Sequence, residues 1–205
     1  MTTTNITLSK LTLRTLLWLP CCLAAWHFNA YYLAAICGEL VHLFVNWLLP
    51  DIVTSVEQTG TTLAFVTTLK VQLQPKQAGL LIPEVNTLLY TYGLAFFIAL
   101  MLAVSSKGWQ ILVGIIVLLL FQSWGVSFDL LAQIGIRLGP DVATQAGILD
   151  WHREAIALSY QMGSLIFPTL IPIILWVSFN QRLIRGLTTK FASIKNVFAL
   201  VYKPQ

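Results

Sequence analysis

Four long apolar stretches, residues 16–36, 87–103, 109–126 and 156–179, constrain this chain more than anything else in it. A helical run of about 20 apolar residues matches the roughly 30 Å hydrocarbon core of a bilayer. Hydrocarbon offers no hydrogen-bond partners, so a segment inside it must satisfy its own backbone, and each stretch predicts a spanning helix. The expected fold is an all-α membrane bundle of four transmembrane helices, over residues 15–37, 87–105, 109–131 and 155–179. All belong to a single integral membrane domain of residues 1–205. Composition agrees: 57% of the residues are hydrophobic and 10% are charged, whereas a soluble domain carries about 25% charged residues. The net charge of +4 is no nucleic-acid signature, because no basic patch interleaves with aromatics outside the apolar stretches. The expected partners are membrane lipids and other integral membrane proteins in a hetero-complex, with no nucleic acid.

The three cysteines, Cys21, Cys22 and Cys37, form no CxxC pair and read as small apolar side chains. Pro20 and Ile36 precede them, where a lipoprotein signal needs a small residue. The apolar pattern beginning near Arg14 continues to Leu49, too far for a cleaved signal core, so the first helix is expected to be retained.

Topology follows from Lys and Arg. With four crossings, the side holding both termini carries eight of them: Lys10, Arg14, Lys107, Arg182, Arg185, Lys190, Lys195 and Lys203. The other side carries four: Lys70, Lys76, Arg137 and Arg153. Both termini are therefore expected in the cytoplasm. All eight carboxylates, Glu39, Asp51, Glu57, Glu84, Asp129, Asp141, Asp150 and Glu154, fall on or near the opposite side. The tail, residues 180–205, alternates basic and apolar positions. It suits an amphipathic helix on the anionic inner leaflet, or a plain stop-transfer anchor.

Between the first two spans, residues 51–74 predict a small extracytoplasmic β-hairpin. Leu63, Phe65, Leu69, Val71 and Leu73 alternate with polar or small residues, Thr67 interrupts the apolar side, and Gly60 marks the turn. Asp150 is the expected cap of the fourth helix, and Pro168 and Pro172 are expected to kink it. Intramembrane polar residues and small residues mark helix or partner contacts. The candidates are Gln122, Trp124, Asp129, Tyr160, Gln161 and Gly163. Glu39 and His42 share one helical face and with His152 make a weak candidate metal set. There is no GxSxG elbow, HExxH, phosphate loop or GxGxxG. Cys21 or Cys22 beside His27 lacks a third group to orient it. No catalytic residues are assigned and no cofactor is predicted beyond bound lipid.

Several segments occur together in a recognisable order: Leu16-Leu17-Trp18-Leu19-Pro20, Tyr90-Thr91-Tyr92-Gly93-Leu94, Gln122-Ser123-Trp124-Gly125-Val126-Ser127-Phe128-Asp129, and the run from Ile156 through Tyr160-Gln161-Met162-Gly163 and Pro168 to Pro172. With them the chain resembles the exosortase H-associated membrane proteins of Gram-negative bacteria. That resemblance implies a bacterial inner-membrane companion of an exosortase, a polytopic transpeptidase-like enzyme that processes sorting segments with a Cys, an Arg and a His. The chain lacks such a triad, so the leading expectation is a non-catalytic accessory. Two alternatives stand beside it. One is a small structural subunit of a respiratory, photosynthetic or monooxygenase complex, with lipid or pigment bound. The other is a membrane enzyme binding metal or substrate through Glu39, His42 and His152.

Overall fold

The computed structural model describes residues 8–74 and 77–186. The fold is mostly helical with a small antiparallel sheet. Helix α1 spans Leu8–Leu48, α2 Leu88–Ala103 and α3 Gly108–Ala132. A π-helical turn, Gln133–Arg137, follows α3 and leads to the short α4, Pro140–Gln145. Helix α5, Asp150–Gln161, is joined by a second π turn, Met162–Ile166, to α6, Phe167–Phe179. Three helical segments, Leu8–Leu48, Gly108–Arg137 and Asp150–Phe179, are long and apolar enough to cross a bilayer, and Leu88–Ala103 is a shorter apolar helix. Residues 181–186 are helical; the rest of the expected amphipathic tail, 187–205, lies outside the described residues.

Helix α1 runs beyond the expected span of 15–37 and follows the apolar pattern that continues to Leu49, without a break at Gly38. At 1.5 Å per residue its 41 residues reach about 62 Å, roughly twice the hydrocarbon thickness. Its N-terminal half packs on α2, with Cys22 against Ala95 and Ala99. Its C-terminal half carries Ala34, Cys37, Val41 and Val45, all fully buried against the sheet and α3. That packing keeps the helix going past residue 37.

The expected hairpin is present but is part of something larger. Strands β1, Val53–Thr59, and β2, Thr62–Thr67, pair antiparallel around Gly60. Gly60 has φ 65°, the conformation required at the first position of a two-residue type II′ turn. The alternation through Leu73 does not form one long strand. It breaks at Thr67, whose buried hydroxyl donates to the Leu81 carbonyl at 2.7 Å and accepts the Leu69 N–H at 3.3 Å. Strand β3, Lys70–Gln74, then pairs with β4, Gln77–Leu80, as a second hairpin. Strand β5, Glu84–Asn86, returns to β2, giving the order β1-β2-β5. Leu63 and Phe65 of β2 point into the core. Gly38 of α1 lets the Leu63 and Val56 side chains approach to ordinary contact, where a Cβ would sit 3.3 Å from Leu63.

The prolines act through the carbonyls they leave free. Pro172 has no N–H for the Pro168 carbonyl one turn earlier. That carbonyl instead faces Gly93 on α2, close enough that a Cβ at 93 would overlap it. Asp150 is not the cap of α5. Leu149 precedes the helix, its N–H donating to His152 Nδ1 at 3.1 Å, while the Asp150 carboxylate pairs with Arg153 at 3.5 Å.

Candidate functional site

The polar residues of the apolar helices gather where α2 begins and α3 ends. Tyr90, in the first turn of α2 and 1% exposed, donates its hydroxyl to Asp129 Oδ2 at 3.0 Å. Asp129 is 8% exposed. Its other oxygen, Oδ1, lies 3.4 Å from Arg137 Nη1. That contact is an ion pair without hydrogen-bond geometry, so Oδ1 accepts no hydrogen bond among the described residues. Arg137 also stands over the Tyr160 ring, 5.2 Å from its centroid. One cation thus neutralises the Asp129 carboxylate and rests on an aromatic face of α5.

The π turn sets this geometry. Eight residues of α-helix rotate through about 800°, which would leave residue 137 about 80° away from the face of 129. A π turn holds one extra residue, so Arg137 takes the place of a seventh residue, within about 20° of that face. Side chains on a helix lean toward its N-terminus, which carries the guanidinium back to the carboxylate.

Around this pair the helices meet through small residues. A Cβ on Gly163 would lie 2.7 Å from Gly125 Cα, and one on Gly125 would lie 2.6 Å from the Tyr90 ring. Without side chains at those points the backbones of α3 and the second π turn come together, and Tyr90 fits over them. One turn earlier in α3, Gln122 Nε2 makes a long 3.5 Å bond to the Thr91 carbonyl, and its Oε1 is buried without a partner among the described residues. Trp26 of α1 donates to the Thr91 hydroxyl at 3.2 Å. Ser123 donates to the Leu119 carbonyl at 2.9 Å and lies 3.6 Å from the buried Cys37 sulfur.

The chain is a member of a described family. It belongs to the exosortase H-associated membrane proteins. The family model with that description matches residues 5–183. No curated protein and no solved structure matches the chain.

In this family member the residues singled out from sequence part company. Asp129, Tyr160 and Arg137 come together, and Gln122 and Gly163 sit beside them. Trp124 borders Gly163 through its Cδ1, while its ring lies 4.7 Å from Phe128 and 5.8 Å from Phe44. Gln161 is exposed and makes no hydrogen bond among the described residues. Glu39, His42 and His152 are not brought together: among the described residues no three His, Cys, Asp or Glu side chains converge. His42 Nε2 lies 3.3 Å from the Val53 carbonyl and 3.0 Å from Asn46 Nδ2, which ties α1 to β1. His152 serves its own helix start and borders an apolar pocket of about 350 Å³ shared with Leu49, Phe128 and Trp151.

Sequence reasoning passed over Tyr90, Thr91, Trp26 and Arg137 as site residues. Tyr90 looks like an interfacial aromatic, and Arg137 is out of helical phase with Asp129 until the π turn is known. As chemistry, the site is a clasp. Its carboxylate is already held by a phenol and a guanidinium. The cavity beside Gln122 is about 10 Å³, room for at most one water.

Proposed function

We propose that this chain is a non-catalytic accessory of an exosortase system in the bacterial inner membrane, crossing it four times with both termini in the cytoplasm. The observation that carries the reading is the family match over residues 5–183, to membrane proteins described as exosortase H-associated. The polar residues support it, because they bind one another across helices: Tyr90 to Asp129, Asp129 to Arg137 and Trp26 to Thr91.

Several contacts support four crossings. The 16 residues of α2 span about 24 Å, within reach of a locally thinned bilayer. At its inner end, α2 meets the end of α6: Asn180 Nδ2 lies 3.6 Å from Met101 Sδ, and Ser106 donates to Asn180 Oδ1 at 3.4 Å. The sheet then belongs outside the hydrocarbon, since the free backbone groups of an edge strand have no partners in lipid. The excess of Lys and Arg on the side of the termini supports placing both in the cytoplasm.

Purification of the tagged full-length protein from its native membranes in mild detergent, with mass spectrometry of co-purifying chains, tests the reading. An exosortase among the stoichiometric partners supports it. Redox subunits in its place, or no partner, overturn it.

A further inference from the structure

The inner face of α1's C-terminal half is buried, but its outer face is not. Phe28, Tyr32, Ile36, Leu43 and Trp47 are 81%, 66%, 48%, 67% and 76% exposed. With Glu39 they follow one another at spacings of 4, 4, 3, 4 and 4 residues, so the six form a single stripe on one helical face. The stripe is about 29 Å long. Glu39 is exposed and makes no hydrogen bond or ion pair among the described residues. Beside it lies a groove of about 260 Å³ between α1 and the sheet, lined by Ala35, Ile36, Glu39, Val56, Gln58 and Leu63.

Neither solvent suits this surface. In lipid the five apolar residues are at home, but a carboxylate without a cation is not, at a cost that reaches about 2.5–3.5 kcal/mol at the bilayer centre. In water the carboxylate is at home, but a contiguous apolar stripe is not. The sheet flanks this part of α1, with Gln58 Nε2 donating to the Tyr31 carbonyl at 2.8 Å and Asn46 Nδ2 to the Val53 carbonyl at 2.9 Å. Much of the stripe therefore stands level with polar strands that hydrocarbon would not accept. A second copy is also a poor fit. Two copies in one membrane are related by an axis along its normal, so Glu39 would meet Glu39, and like charges at a dry contact oppose each other.

We infer that the stripe is the docking seam for an α-helix of a different integral membrane protein, which carries a Lys or Arg opposite Glu39. Apolar residues at helical spacing meet a partner helix, and the one carboxylate fixes its register by charge. This rests on the accessory reading and names the surface that reading requires.

The test uses the full-length protein in its native membranes, with photoreactive benzoylphenylalanine at position 43 and, as control, at position 112, where Leu112 of α3 is 59% exposed. Position 43 is expected to give one heavier protein adduct. The crosslinked peptide should come from an apolar helix with a Lys or Arg within one turn, and position 112 should give none. Glu39→Lys should lower the adduct about tenfold, and replacing the partner's cation with Glu should restore it. Glu39→Gln serves if the Lys variant does not accumulate, with a smaller drop expected. Adducts to lipid alone, to a second copy, or unaffected by either substitution overturn the inference. Co-purification of an exosortase alongside such a result would leave the accessory reading standing and remove only the seam. Loss of co-purification with an intact charge-dependent adduct would do the reverse.

Discussion

At the scale of single residues, the Tyr90–Asp129 bond is where a small change should matter most. Tyr90→Phe removes the donor to Oδ2 and leaves a buried carboxylate with only its ion pair. We expect a loss of about 1–3 kcal/mol, read as a lower unfolding temperature in detergent. Arg137→Met should cost less in the Tyr90→Phe background than alone if the two act as one clasp, and a double-mutant cycle measures that coupling. Gly93 makes a second case. Its missing Cβ would overlap the Pro168 carbonyl, a backbone atom that cannot swing aside. Gly93→Val should therefore destabilise by about 1–3 kcal/mol. Gly108→Val, facing open space, should be close to neutral by the same thermal measurement. Residue chemistry made part of this legible in advance: a carboxylate in an apolar stretch announces that something must hold it. What holds it was hidden, because a tyrosine near a helix start suits an aromatic belt equally well, and a lone glycine does not say which backbone approaches it.

At the scale of elements, the π turn after α3 behaves as a one-residue insertion. Deleting Ile136, which is 44% exposed, should convert it to regular helix and keep Arg137 on the face of Asp129. The variant should accumulate with a near-parental unfolding temperature. Deleting the fully buried Leu130, inside α3, should rotate everything beyond it by about 100° and prevent accumulation. Parallel expression and thermal-shift measurements check both. Helical and strand periodicities were readable from the chain because they follow local geometry. The π turns were not, since no residue type demands one; they arise when two packed faces need an extra residue between them. The strand break at Thr67 was visible only as an oddity in the alternation. Its cause, the Leu81 carbonyl, lies 14 residues further on.

At the scale of the whole molecule, the testable quantity is which parts share a side. With Cys21, Cys22 and Cys37 replaced by Ala, single cysteines at Thr54 and Asp150 should react with an impermeant maleimide in spheroplasts. Cysteines at Thr12 and Ser105 should react only after permeabilisation. Labelling of Ser105→Cys from outside would refute the four-crossing arrangement. Composition and apolar run length conveyed the membrane bundle, and the ordered segments conveyed the family. The apolar pattern running to Leu49 conveyed the reach of α1 past residue 37, but not whether the helix continues or bends near Gly38; the sheet packed on its small and branched residues accounts for its continuing to Leu48. That sheet has a mechanical meaning as well. Strand β1 lies along α1, and β5 runs directly into α2, with β2 alone between them. The three strands thus form a strap from the end of α1 to the start of α2, so that the sheet cannot shift along α1 without pulling on the first turn of α2.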